Sequence, residues 1–181
     1  MDVLFLQGGG AGAYDEDTKL AASLRRALGS FCKLHYPKMP NEDAPDYRAW
    51  RARIAEGIDA LAGDVLLTGH SLGASFLLKY MVEEKPDVTG LFLLAPPYWG
   101  EADWEVAEYA LPEGYASSFP PHLPLFLYGS RDDDVVPFAH TERYATELPE
   151  VTVRVFDSGG HQFGNDLAEV AQDIRTLRYR R

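Results

Sequence analysis

The chain has 181 residues, 46 % of them hydrophobic, and a formal net charge of -11 at pH 7. That length and apolar share suit one domain able to bury a core of its own. The acidic balance, with no basic patch to neutralise phosphates, argues against nucleic acid as a partner, and no run nears the ~18 apolar residues of a membrane span.

In chain order, Val3–Leu6 is apolar and runs into a glycine-rich loop. With no basic segment before it, it reads as a first strand and not as a signal peptide. Tyr14–Leu28 reads as a helix with Leu20, Leu24 and Leu28 on one face. Phe31–Tyr36 reads as a second strand, ended by Pro37 and Pro40. Asp46–Leu61 is helical in its spacing, with Tyr47, Trp50, Ile54, Ile58 and Leu61 on one side. Val65–Thr68, Leu91–Leu94 and Leu125–Tyr128 are short and continuously apolar, as suits central parallel strands covered on both faces. A helix-like stretch, Ala74–Val82, follows the first of these, and another begins after Pro137-Phe138. Val151–Phe156 carries Arg154 and reads as an edge strand; Asp166–Leu177 is a last helix with Leu167, Val170, Ala171, Ile174 and Leu177 inward. The tail from Arg175 to Arg181 holds four arginines and reads as a helix C-terminus complementing its dipole.

Alternating strands and helices imply a parallel sheet with right-handed crossovers. The exception is residues 96–124, which hold Tyr98, Trp99, Trp104, Tyr109, Tyr115 and Phe119 and are too long for an ordinary connection. Two readings stand for this excursion: a small lid that lines a substrate site, or a surface loop whose aromatics cover the sheet. The single cysteine, Cys32, cannot form an internal disulfide, which fits a reducing, cytoplasmic location.

The most informative segment is Gly69-His70-Ser71-Leu72-Gly73. A serine in Gly-x-Ser-x-Gly between a strand and a helix sits on a sharp turn that pushes its hydroxyl out above the sheet. Glycines on both sides relieve the crowding. The pattern alone is not decisive, since chance gives roughly 0.06 matches in a chain of this composition. Its context is what counts. A serine hydroxyl needs a base, an orienting acid and donors for an oxyanion. Downstream lie Asp132-Asp133-Asp134 and then Gly160-His161, so the chain order is Ser, Asp, His.

His161 is the best placed of the five histidines, on a glycine-rich loop after the last strand. His35, His70, His122 and His140 read as structural or surface residues, His70 pointing away on the turn. Any of the three aspartates could reach a histidine on the next loop, leaving the other two as solvated charges or a helix cap. The run could also offer hard oxygen ligands to a cation, but it lacks the alternating spacing of a calcium loop. The loop Gly8-Gly9-Gly10-Ala11-Gly12 admits two readings. Gly8, Gly10 and Ala13 fit a dinucleotide fingerprint, but no acid follows near the end of the second strand. The favoured reading is that the N–H of Gly9 or Gly10 joins that of Leu72 in an oxyanion hole. Strand order reverses between the first and third strands if the second lies outside the first, and ligands bind at such a switch point. The glycine-rich loop and Ser71 would be neighbours there.

These motifs, with Leu6-Gln7-Gly8-Gly9-Gly10 and the segment from Gly129 to Pro137, resemble the small α/β-hydrolases related to retinoblastoma-binding protein nine and the bacterial YdeN proteins. The resemblance spans almost the whole chain. It implies a single α/β-hydrolase domain over residues 1–181, with a predominantly parallel six-stranded sheet, helices on both faces and no large cap domain. It selects Asp133, four residues before Pro137, as the acid, with Asp132 as runner-up. Ser71 then matches the nucleophile and His161 the base. Gln7-Gly8 replaces the His-Gly start common in esterases, and the aromatic excursion matches nothing in the family.

The expected activity is hydrolysis of a small ester or amide through an acyl-enzyme, without cofactor or metal, on a small-molecule acyl substrate. The rival expectation is a binding protein that keeps the α/β-hydrolase fold but does little chemistry.

Overall fold

A computed structural model describes residues 1–100, 104, 106–148 and 150–177. Its centre is a six-stranded sheet in the order β2-β1-β3-β4-β5-β6. The strands are β1 (Asp2–Leu6), β2 (Lys33–His35), β3 (Val65–His70), β4 (Gly90–Leu94), β5 (Leu125–Ser130) and β6 (Thr152–Phe156). Every neighbouring pair is parallel. The helices are α1 (Ala13–Leu28), α2 (Tyr47–Asp59), α3 (Leu72–Glu84), α4 (Phe138–Glu147) and α5 (Ala168–Thr176).

The unbroken apolar strands follow from burial on both faces. Leu4 and Leu6 of β1 point into the layer formed by α2, α3 and α4, with Trp50, Phe76 and Tyr144. Val3 and Phe5 point the other way, into the layer of α1 and α5, with Leu24 and Ile174. Leu91, Leu93, Phe92 and Leu94 of β4 divide in the same manner. The period of two sends alternate side chains to opposite cores, so the central strands are largely apolar on both faces.

Helix faces follow the predicted spacing. Leu20, Leu24 and Leu28 of α1 are buried, as are Leu167, Val170, Ala171, Ile174 and Leu177 around α5. Asp46 caps α2, accepting from the Ala49 N–H at 2.7 Å. The edge strand β6 keeps Arg154, which donates to Asp173 of α5 at 2.7 Å and 3.0 Å.

Several boundaries differ from expectation. The second strand spans Lys33–His35 instead of Phe31–Tyr36, because β1 pairs on that side only through Asp2, Val3 and Leu4. The last helix begins at Ala168, since Phe163–Asn165 forms a separate tight turn and the Asp166 carboxylate takes the Ala168 N–H at 3.0 Å. The third helix begins at Leu72, directly after the serine. In the basic tail, Arg175 lies in the last turn of α5; Arg178, Arg180 and Arg181 lie outside the described residues.

Candidate active site

The turn after β3 holds Ser71 at φ 51° and ψ -121°, a strained region for an L-residue. Its N–H donates to the Leu94 carbonyl at 2.8 Å, and its own carbonyl accepts from Ala74 and Ser75 to start α3. Both flanking glycines are sterically required. A Cβ on Gly69 would lie 2.7 Å from the Ala74 backbone, and one on Gly73 would run into the Gln7 carbonyl oxygen. Leu72 is the first residue of α3, so its N–H has no partner within the helix.

The facing wall is the glycine-rich turn after β1. Gln7 is wholly buried; its amide donates to Glu42 at 2.7 Å and accepts from the Met39 N–H at 3.1 Å. Gln7 therefore fastens this turn to the 39–42 loop. The Gly10 N–H donates to the Glu42 carbonyl at 2.7 Å, and the Gly8 N–H to Asp17 at 2.7 Å. Those two donors are committed. Gly9 packs so closely on Leu72 that a Cβ there would meet the Leu72 side chain.

His161 arrives on the loop after β6, behind Gly159 at φ +136° and Gly160 at φ +60°. Only glycine enters such conformations without strain. His161 Nδ1 lies 2.8 Å from Asp133 Oδ2, and that carboxylate is 1 % exposed. Asp133 Oδ1 accepts from the N–H groups of Val135 (2.9 Å) and Val136 (2.8 Å). Burial alone would push the Asp133 carboxyl up, but the bond and charge of His161 and these two amides hold it below the usual carboxylate range. An ionised Asp133 accepts only, so in a neutral His161 ring the proton sits on Nδ1 and Nε2 keeps its lone pair.

The three aspartates differ in their surroundings. Asp132 accepts from the Ser130 hydroxyl at 2.6 Å and from the N–H groups of Gly159 (3.1 Å) and Gly160 (2.8 Å). Asp133 meets His161, and Asp134 is exposed beside it. Ser71, His161 and Asp134 line one open cavity of about 410 Å³, with Gly8, Gly9 and Glu16. That size suits a small ligand. None of the described residues of the 96–124 excursion lines it. Tyr98, Trp99, Tyr109 and Phe119 pack on the α2–α3–α4 core instead, and the Trp99 indole donates to Ser75 of α3 at 3.0 Å. Residues 101–103 and 105 of the excursion lie outside the described residues.

Of the other histidines, His35 pairs with Asp2 at 2.7 Å, His140 accepts from the Tyr98 N–H at 2.7 Å, and His122 is exposed. His70 is buried and bonded to Asp17 of α1 at 2.8 Å. No sequence motif marks Asp17. The signal was present: Asp17 stands three and four residues before Leu20 and Ala21, on the buried face of α1.

A parallel sheet in this order, with a serine elbow after β3 and a histidine loop after β6, defines the α/β-hydrolase fold. The sequence model of the serine hydrolases matches residues 22–166, and the chain belongs to that family. Among solved structures it is similar to the ydeN gene product of B. subtilis, at 17 % identity and TM-score 0.75 over 98 % of each chain. It is also similar to CarC, a serine hydrolase involved in carbazole degradation, at 14 % identity and TM-score 0.74 over 100 % of this chain and 92 % of that one. Est1E of Butyrivibrio proteoclasticus, solved with ferulic acid bound, gives 13 % identity and TM-score 0.76 over 99 % and 88 %. At these identities the likeness is one of fold. A search of curated protein sequences returns no match. No helix among the described residues is long and apolar enough to cross a membrane.

Proposed function

We propose that the chain cleaves a small ester or amide through an acyl-enzyme on Ser71. One observation carries this reading: the Asp133–His161 pair, 2.8 Å apart, opens onto the same cavity as the elbow serine. His161 Nε2 takes the hydroxyl proton as the Ser71 oxygen bonds to the acyl carbon. The carbonyl π electrons move onto oxygen, and the N–H groups of Leu72 and Gly9 receive that oxyanion. Gly9 is favoured over Gly10 because the Gly10 N–H is already given to Glu42. His161 then returns the proton to the leaving alcohol or amine as its bond to carbon breaks. A water repeats the sequence and releases the acid. Asp133 keeps the imidazole in one tautomer and stabilises its cation. The substrate is a small acyl compound, and no step requires a cofactor or metal.

Labelling with a fluorophosphonate probe tests the reading, paired with hydrolysis of acyl esters and aminoacyl amides of graded chain length. Wild-type protein is expected to label and turn over, and Ser71→Ala to do neither. A wild type that never labels and hydrolyses nothing would favour a binding protein on the same fold.

A further inference from the structure

Behind the cavity lies a second aspartate–histidine pair, more deeply buried than the first. Asp17 and His70 are each 1 % exposed. They stand 53 residues apart in sequence, with His70 Nδ1 2.8 Å from Asp17 Oδ2. The other ring nitrogen, Nε2, lies 3.0 Å from the carbonyl oxygen of His161. A carbonyl oxygen accepts only, and so does an ionised carboxylate. Asp17 is held in that form by further donors: the Gly8 N–H at 2.7 Å and the Gln162 amide at 3.1 Å. Both nitrogens of His70 therefore face acceptors, and both bonds form only if the ring carries two protons. A neutral ring would set a lone pair against an oxygen at one end, at the full cost of a buried unmade bond.

The contacts of this pair are what make it more than a packed polar cluster. Asp17 holds Gly8, at the start of the turn whose next residue is the proposed oxyanion donor. His70 is bonded directly to Ser71 along the chain. His70 and Asp17 together hold the main chain of His161 and the side chain of Gln162. The turn after β1, the elbow after β3 and the loop after β6 are remote in sequence, and each carries one part of the site.

We propose that Asp17 and His70 are positioning residues, a buried carboxylate–imidazolium pair that holds the oxyanion turn and the His161 loop in register with Ser71. The proposal rests on the hydrolase reading above. A buried ion pair seldom adds net stability, because desolvating two charges costs about as much as their attraction returns. Its value here is geometric, since a displacement of about 1 Å at reacting groups can cost ~100-fold in rate. The titratable groups around the His70 ring are Asp17 from α1, Asp133 from the loop after β5 and His161 from the loop after β6, whose ring centroid is 4.6 Å away. Burial alone would push the imidazole down, but the Asp17 charge and bond, the His161 carbonyl and Asp133 raise it.

The test reads protonation and turnover separately. In protein labelled with ¹⁵N-histidine, long-range proton–nitrogen spectra at mildly alkaline pH are expected to show both His70 nitrogens protonated, with His70→Gln assigning the signals. Asp17→Asn is expected to return His70 to a neutral tautomer. It should lower kcat for an acyl ester about 10- to 100-fold with KM within about twofold, and Asp17→Glu should restore part of that rate. If Asp17→Asn does not fold, His70→Gln, which keeps one donor for the His161 carbonyl, is expected to show the same selective loss of kcat. A neutral His70 in the wild type, or a folded Asp17→Asn or His70→Gln with wild-type kcat, overturns the proposal. The protonation readout needs no turnover, so failure of the hydrolase reading shows separately, as wild-type protein that does not react with fluorophosphonate.

Discussion

Asp132 holds the backbone of the loop whose imidazole Asp133 holds. Asp132 takes the Gly159 and Gly160 N–H groups, and Asp133 takes His161 Nδ1. Adjacent carboxylates thus fix the two ends of one short segment, the first its main chain and the second its ring.

Their substitutions should separate accordingly. Asp133→Asn is expected to lower kcat by about 10⁴-fold while KM changes little, because the amide favours the wrong imidazole tautomer. Asp132→Asn loosens the loop but leaves that tautomer intact, so a loss of about tenfold is expected. Steady-state kinetics on one ester compares them; equal losses would contradict the assignment of Asp133 as the orienting acid.

The elbow makes a steric prediction. Gly73→Ala would drive a methyl group into the Gln7 carbonyl oxygen, and Gly69→Ala into the Ala74 backbone. Neither neighbour is a flexible side-chain end that can turn aside. Both variants should lose on the order of 2–4 kcal/mol of stability. Chemical denaturation reads the effect, with Gly63→Ala, where a Cβ meets open space at φ +81°, expected to cost less.

Stability should fall toward acid. Asp17 and Asp133 both sit below their ordinary value of 3.8 in the folded chain. A lowered carboxylate contributes fully above its unfolded value, and that contribution is lost as pH falls through the folded value. His70 has the opposite sign: raised above 6.5, it contributes fully below that value and loses its contribution as pH rises through the folded one. The melting temperature should therefore hold near neutrality and drop below about pH 4. Asp133→Asn should show a shallower acid drop.

Charge at the rim should select substrates. Glu16 and Asp134 are exposed on the cavity that holds Ser71, and no lysine or arginine among the described residues lines it. An ester with a cationic group should show a higher kcat/KM than its anionic counterpart at low salt. The ratio should shrink several-fold, by roughly 3- to 10-fold, in high salt or in a Glu16→Gln, Asp134→Asn double variant. A ratio unmoved by both would rule out rim electrostatics as a determinant.

Much of this architecture is legible in the amino-acid sequence. Strands buried on both faces read as unbroken apolar runs, helices show their stripe at a spacing of three and four, and the switch point follows from the reversal of strand order around β1. These patterns are local: each element records its own period and burial whatever lies beside it. The same holds for the Ser71 elbow, whose glycines are demanded by the turn itself.

Choosing partners is different, because it depends on which loops meet. Asp132, Asp133 and Asp134 are equivalent by composition and become distinct only when the 159–161 loop folds over them. Gly9 and Gly10 are equally free to donate until Glu42 takes one N–H. Asp17 shows in the sequence only as an acid on the apolar face of α1 and His70 only as a neighbour of Ser71; they define a buried pair only when α1 packs beside the end of β3. The sequence by itself determined the elements, their order and the kinds of chemical group present. The tertiary structure decided which group faces which, because hydrogen bonds form between atoms about 3 Å apart in space and carry no mark of that pairing along the chain.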